Sequence, residues 1–557
     1  MDKHEVGEPS PEPSHGGGAP VGGAVVDDPE DPSRLTVDAL PHGLGDQAVE
    51  AGDAVFSFAA AGTAVAADNS LAGLIQAGHR DAALKMIAAG ADVNAAQGDG
   101  TTPLHWAAYK IDADLVKALL QRGAKPDVIN NYGSSPLAEA VKVANAGLVK
   151  MLLDAGSNVE VPNQEDQTAL MLAARAGSLD VADLLVRHGA NVNAKEKWRG
   201  QTALMWAADA GSAAMTRFLI AHKADVNARA LANDWPTQMT GEPRNQYRPT
   251  GGLTPLLYAA RSGCKDCVAA LLDAGADVNH PNPDGVTPLM VAMDNFAFDT
   301  AKLLFERGAN PHVWDWWGRT PLYVAIDMNT YSLDAYAERT GPPIVTTKTT
   351  ALELARLFLD AGVNPNPQLD MHRPGRGGNS GRFADEIITT GATPLLRAAG
   401  SQDKEVVRLL LDHGARVDVP NVMGVTPLMA AAGFGMEPAP RFNPDAADVQ
   451  DRSIATLEML LAAGADVNAR ITDVKSLTAR MGRGSSLPTR GGESALFGAV
   501  QWGWPRVAGY LIGHGAKADI VDDLGVSPLD VASGRAKSDD NRPSPEVAKI
   551  IQTAVGR

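Results

Sequence analysis

Only two cysteines, Cys264 and Cys267, occur in 557 residues, and aromatic side chains make up 5% of the chain. The two cysteines form one CxxC, which leaves a zinc site two ligands short with none phased nearby. Thioredoxin-like redox chemistry would need a βαβ context that the surrounding sequence lacks. Two readings of the pair stay open: small packing residues at a helix start, or a local disulfide in an oxidising compartment. No apolar run reaches the roughly 18 residues that cross a bilayer, so no integral membrane segment is expected. Basic charge is also short, with 49 Lys and Arg against 66 Asp and Glu for a formal net charge of −17. Nucleic-acid binding needs a continuous Lys/Arg stripe to displace counterions, and none runs along this chain. HExxH, GxSxG, GxxxxGK and EF-hand patterns are all missing. The expectation is no enzyme, no metal and no cofactor.

One short phrase fills the chain instead. TPLHWAA starts at Thr102, SPLAEAV at Ser135, TALMLAA at Thr168, TALMWAA at Thr202 and TPLLYAA at Thr254. It restarts at Thr287, Thr320, Thr393, Thr426, Ser494 and Ser527. A second phrase, GADVN or GANVN, recurs at Gly90, Gly189, Gly275 and Gly464. Where nothing intervenes the period is about 33 residues, too short for an independent core. Ala and Leu carry the pattern, and small side chains let helix pairs stack closely.

The local chemistry of each unit is legible. Thr or Ser caps a short helix, with Pro at its first position where a missing N–H costs nothing. A second amphipathic helix follows, such as residues 114–120. Gly90, Gly123, Gly156, Gly189, Gly275, Gly308, Gly414 and Gly515 suit the left-handed turn that ends it. Lys223 takes that place in unit five. From there to the next Thr the chain reads as a finger with turn residues such as Asn130, Asp284 and Gly285. About eleven units follow this pattern, after an opening one at 68–100, and the unit from Ser527 trails into a C-terminal cap.

These restarts make the chain resemble an ankyrin-repeat protein from about Asp68 onward. The resemblance implies an all-α solenoid of about 11–12 helix-turn-helix units with β-hairpin fingers. It also implies protein binding through finger tips and first helices. A weaker similarity, to exported bacterial proteins of this family, bears only on localisation.

Residues 1–53 are acidic and rich in Pro and Gly, with about twelve Asp and Glu in the first 55 residues against Lys3 and Arg34; a disordered tail is expected. Residues 54–67 read two ways. They are signal-like, with Ala64-Val65-Ala66 as a small-x-small cleavage site and export implied, or they form an Ala-rich capping helix in a cytoplasmic protein. Against the first reading, Asp46, Glu50 and Asp53 stand where a basic start belongs.

The array then divides into repeats 1–5 (68–253), 6–8 (254–392) and 9–12 (393–557). Insertions near 230–251, 367–391 and 471–491 enlarge fingers; those at 332–349 and 436–451 lie between the helices of a unit. The finger insertions are Arg- and Gly-rich. Arg244, Arg248, Arg373, Arg376, Arg382, Arg480, Arg483 and Arg490 offer guanidinium forks to an acidic ligand, unless these are tolerated surface loops.

Among aromatics, the finger Val313-Trp314-Asp315-Trp316-Trp317-Gly318-Arg319 stands out, either as an interaction anchor or as a plug against a neighbouring insertion. The expected contact set is Tyr109, Tyr132, Trp198, Arg199, Arg261, Trp316, Trp317, Arg319 and Trp502. A monomeric scaffold that binds a protein is the leading reading. Capture of an envelope polymer or small ligand, or an unrecognised hydrolase, are the alternatives.

Overall fold

The computed structural model describes residues 69–163, 165–232, 251–330, 346–370, 387–435, 447–472, 491–536 and 542–556. Within them twenty-four helices fall into twelve consecutive pairs. Units 1 to 4 pair Leu71–Gln76 with Arg80–Ala88, Pro103–Tyr109 with Ala113–Gln121, Pro136–Lys142 with Ala146–Asp154, and Ala169–Ala176 with Leu179–Arg187. Units 5 to 8 pair Ala203–Asp209 with Ala213–Ala221, Pro255–Arg261 with Lys265–Asp273, Pro288–Asp294 with Phe298–Glu306, and Pro321–Thr330 with Ala351–Asp360. Units 9 to 12 pair Pro394–Gly400 with Lys404–Asp412, Pro427–Ala431 with Ala447–Ala462, Ala495–Gln501 with Pro505–Gly513, and Pro528–Ala532 with Pro545–Val555.

The repeated phrase builds these helices as its chemistry dictates. The hydroxyl of Ser135 accepts from the Ala138 N–H at 3.1 Å, and Thr254, Thr393 and Thr426 cap their helices at 3.3, 3.1 and 3.3 Å. Ser494 makes no such bond. Second helices end at glycines with φ near +90°, among them Gly90, Gly156, Gly189 and Gly308, and Lys223 adopts the same turn at φ +65°. A Cβ at those glycines would meet nothing within 4 Å. Backbone torsion, not space, is what reserves the position for glycine.

Leu and Ala of the phrase form a continuous core. First helices pack on first helices from one end of the array to the other, and most second helices pack likewise. In unit 2, His105 is buried between its own cap and the next unit: Nδ1 lies 2.8 Å from Thr102 Oγ1 and Nε2 2.9 Å from the Ser134 carbonyl. Burial lowers its pKa and favours the neutral ring.

The GADVN phrase has a mechanical reason. Asn279 Nδ2 donates to the Gly308 carbonyl at 3.3 Å, and its Oδ1 accepts from the Asn310 N–H at 2.7 Å. Asn94, Asn193, Asn227, Asn366 and Asn468 make the same two bonds to the following unit. An amide is required because one group must both donate and accept. Asp127 and Glu160, in the same slot, keep only the accepting half, from the Asn158 and Asn191 N–H groups.

The fingers contain no strand among the described residues. Each is a single tight turn, such as Asn130 N–H to Ser134 O at 3.0 Å with Gly133 N–H returning to Asn130 O at 2.9 Å. The expected hairpin is shortened to this turn, and neighbouring fingers join through single backbone bonds, including Asn131 to Asp99 O at 2.8 Å and Trp316 to Asp284 O at 2.8 Å. The three finger insertions spring from a common stem. Leu369 donates to Ala392 O and Gly391 to Leu369 O at 3.1 and 2.7 Å; Ile471 and Gly492 pair with Glu493 and Ile471 in the same way, as do Ala230 and Gly252 with Leu253 and Leu231. Arg244, Arg248, Arg373, Arg376, Arg382, Arg480, Arg483 and Arg490 lie outside the described residues, as do the acidic tail and residues 54–67.

Candidate partner-binding surface

At the centre of each finger one polar side chain gathers the N–H groups of the turn. Asn130 Oδ1 accepts from Tyr132 and Ser134 at 3.1 and 2.9 Å, and Asn282 and Asn421 repeat the arrangement. In the finger between units 4 and 5 the buried Glu196 takes this place, accepting from Trp198, Arg199 and Gln201 at 2.6, 2.8 and 2.8 Å. These internal bonds fix the turn and turn its next side chain outward. Trp198 is 57% exposed, and Tyr132 and Trp316 are exposed to a similar degree. Trp314, which the expected contact set omits, is the most exposed tryptophan of the described residues.

The Trp finger divides. Trp317 is 8% exposed while its neighbour Trp316 is 54% exposed. Trp317 lies under the stem of the next insertion, where Asp370 donates to the Trp317 carbonyl at 3.0 Å. Arg319 is buried as well, bound to Asp315 at 2.7 Å and Asp294 at 3.2 Å and stacked 5.5 Å from the Trp317 ring. Burial opposes the Arg319 charge, but Asp294 and Asp315 hold its pKa above the ordinary arginine value. The plug is therefore Trp317 with Arg319; Trp314 and Trp316 are what the finger offers to solvent. Trp502 is likewise built into the stack, with Nε1 donating to the Gly433 carbonyl at 2.8 Å and its ring stacked on Trp504 at 6.1 Å. Trp317, Arg319 and Trp502 thus stand behind the surface, because each has its polar atoms or ring face committed to a neighbouring unit.

First helices add a second row of aromatics. Tyr109 is exposed, edge-on to Trp106 at 5.9 Å. Trp106 Nε1 donates to Gln97 Oε1 of the adjoining finger at 2.7 Å. In unit 5 the slot of Gln97 holds Lys197, which cannot accept, and Trp206 Nε1 has no hydrogen-bond partner. Arg175 of unit 4 lies over the Trp206 ring at 5.6 Å. Arg261 of unit 6 lies over Tyr258 at 4.9 Å and binds Asp209 of unit 5 at 2.7 Å. Arg199 stacks on Trp198 at 4.8 Å. Gln201, from the same finger, donates to the Tyr258 hydroxyl and ties finger to helix row. Burial raises the Tyr258 pKa, and the charges of Arg261, Asp209 and Arg199 all reach its phenol. Finger and helices therefore form one continuous face across units 4 to 6.

Sequence reasoning passed over a buried ion pair. Arg397 and Asp327 are each 2% exposed and meet at 2.6 Å between units 8 and 9. The available signal was positional: Arg397 occupies the slot that holds Trp106, Trp206 and Tyr258 elsewhere. A charge in an apolar slot needs a buried partner.

Cys264 and Cys267 hold the N-cap and third positions of the second helix of unit 6, where Asp112 and Leu115 stand in unit 2. Those positions face one another at any helix start. The Cα atoms lie 5.2 Å apart with the sulfurs at bonding distance, and Cys267 is fully buried.

A family model described as ankyrin repeats (3 copies) matches residues 71–163, 140–230, 239–315 and 345–471. These segments cover more than half of the chain, which belongs to the ankyrin-repeat family, a family of protein-interaction domains. Among solved structures, the chain is similar to the crystal structure of human ASB11 ankyrin repeat domain at 22% identity and a TM-score of 0.36, covering 43% of this chain and 98% of that one. No curated protein matches. Among the described residues no helix is long and apolar enough to cross a membrane.

Proposed function

We propose that this chain is a non-catalytic scaffold that grips a protein partner across the fingers and first helices of units 2 to 7. One observation carries the reading: Tyr132, Trp198, Trp314 and Trp316 stand exposed on three fingers, although the same turns bury their central polar residues Asn130, Glu196 and Asp315. Of the expected contacts, Tyr109, Tyr132, Trp198, Arg199, Arg261 and Trp316 are the direct ones, and Trp314 joins them. Trp317, Arg319 and Trp502 hold the units that display them.

Rigid aromatics dominate binding energy at interfaces, each central one contributing about 2 kcal/mol or more. Trp198→Ala combined with Trp316→Ala is therefore expected to lower partner capture from the native cell by more than about tenfold. Melting temperature should fall little, because more than half of each residue is already solvated before binding. Undiminished capture by a folded double variant would sink the proposal.

The same reading extends to export, based on the Ala64-Val65-Ala66 site, and to a bond between Cys264 and Cys267 that fastens one helix start. N-terminal sequencing of protein from the native compartment, with mass analysis after alkylation without reductant, tests both. Cleavage near Ala66 and no alkylated cysteine are expected; an intact Met1 or two alkylated thiols would remove the corresponding part.

A further inference from the structure

A bond between Cys264 and Cys267 is not needed to hold the helix that they start. Asp112, Asn145 and Asp403 stand in the place of Cys264 in units 2, 3 and 9, and each accepts the N–H three residues on, at 3.0, 3.0 and 3.2 Å. Cys264 does the same through sulfur, accepting from the Cys267 N–H at 3.2 Å. Unit 6 is therefore capped as those units are, without a covalent link. The link joins residues only three apart, and a bridge across so short a loop confines the unfolded chain less than a long one does. Stability alone is a weak reason for two cysteines here.

The two sulfurs differ in access. Cys267 is fully buried, whereas Cys264, in the turn between the two helices of unit 6, is only partly buried. The turn residue before it is Gly263, and its counterpart in unit 5 is Gly211, where a Cβ would lie 3.9 Å from the Cys264 Cβ. Units 2 and 9 carry Ile111 and Gln402 at that place. Neither glycine hangs a side chain over the sulfur of Cys264. An incoming thiolate therefore meets Cys264 first.

The reduced state is also provided for. The cap position holds a carboxylate in units 2 and 9, so it suits negative charge at a helix N-terminus. A Cys264 thiolate there accepts the same N–H and feels the start of the nine-residue helix Lys265–Asp273. Lys265 and Asp266, next along the chain, offset one another in charge. Stabilising the reduced form makes the oxidised form a better oxidant of other thiols.

We infer that Cys264 and Cys267 form an exchangeable disulfide whose substrate is a reduced cysteine pair of a partner protein. A substrate thiolate attacks Cys264 Sγ; the sulfur–sulfur bond breaks, and Cys267 leaves with its electron pair and takes up a proton. The second substrate thiolate then attacks the substrate sulfur of the mixed disulfide, and Cys264 leaves as the capped thiolate. Two electrons have passed from the substrate, now a disulfide, to this chain, now a dithiol. One bond passes per chain, so the step requires no turnover and none of the βαβ framework of a thioredoxin-like catalyst. The inference rests on the bond between Cys264 and Cys267 proposed above.

The test takes the full chain, oxidised with glutathione disulfide, and mixes it with a reduced synthetic peptide carrying a cysteine pair. Alkylation and mass analysis are expected to show the chain gaining two thiols as the peptide loses two, with the mixed disulfide, trapped by acid, on Cys264. In Cys267→Ser the remaining thiol is expected to react with an aromatic disulfide reagent at least about tenfold faster than the one in Cys264→Ser. Melting curves of the reduced chain and of both variants should stay close to that of the oxidised chain. A bond that forms but does not pass to the peptide overturns the inference and leaves a structural disulfide standing. So does a mixed disulfide on Cys267, equal reactivity of the two folded variants, or a sharp fall in melting temperature on reduction. Two free thiols after oxidation overturn both the exchange and the bond on which it rests.

Discussion

Arg397→Met is expected to destabilise units 8 and 9 by about 3–5 kcal/mol, because it removes the guanidinium that meets the buried Asp327 carboxylate inside the stack. The pair joins two consecutive first helices at 2.6 Å, with both residues 2% exposed. Arg397 also donates to Ser401 Oγ one turn further on, so its loss removes a second hydrogen bond. In contrast, Arg397→Met combined with Asp327→Leu should recover most of the lost stability, since two apolar side chains bury without desolvation cost. Denaturation of both variants, followed by hydrogen exchange to place the loss along the chain, checks the result. A single variant as stable as the parent would mean that water reaches Asp327.

Trp504→Ala is expected to cost about 3–5 kcal/mol and to act two units further along the array, in unit 11. Trp504 stands where other units place a polar helix cap, as Asp403 does in unit 9. It is fully buried, stacked on Trp502 at 6.1 Å. A Cβ on Gly433 would come within 2.7 Å of its ring, which measures how closely unit 10 is fitted to it. Stability in repeat arrays is a sum over units and their interfaces, so the deficit should stay local. Hydrogen exchange is expected to accelerate in units 10 to 12 while units 1 to 7 keep their protection; uniform loss along the chain would contradict this.

The parts of the fold that are legible in the sequence are those decided within a few residues. A Thr-Pro start or a Gly end carries its own backbone reason, so twelve units could be counted without knowing what each one touches. Trp316 and Trp317 mark the limit. They are adjacent in the chain and opposite in burial, and what separates them is the strand of chain at Leu369 and Asp370 that lies over only one. Arg319 looked like a surface contact for the same reason: its partner Asp294 ends the first helix of the preceding unit. The Arg397–Asp327 pair bridges 70 residues across two insertions that break the period, and periodicity could not align its halves. The exposure of Trp198 and Tyr132 was legible because each stands at the turn of its own finger.

The asparagine that ties each unit to the next is not present throughout. Asp127 and Glu160 stand in its slot in units 2 and 3, and His312, Asp418 and Asp519 in units 7, 9 and 11, with Asp418 turned to Arg416 at 3.3 Å. Among the described residues none of these makes the two-bond link that Asn279 makes. Under a load applied along its axis the array is consequently not a uniform spring. Its weakest seams follow units 7, 9 and 11, with intermediate ones after units 2 and 3, where only the accepting half of the link remains.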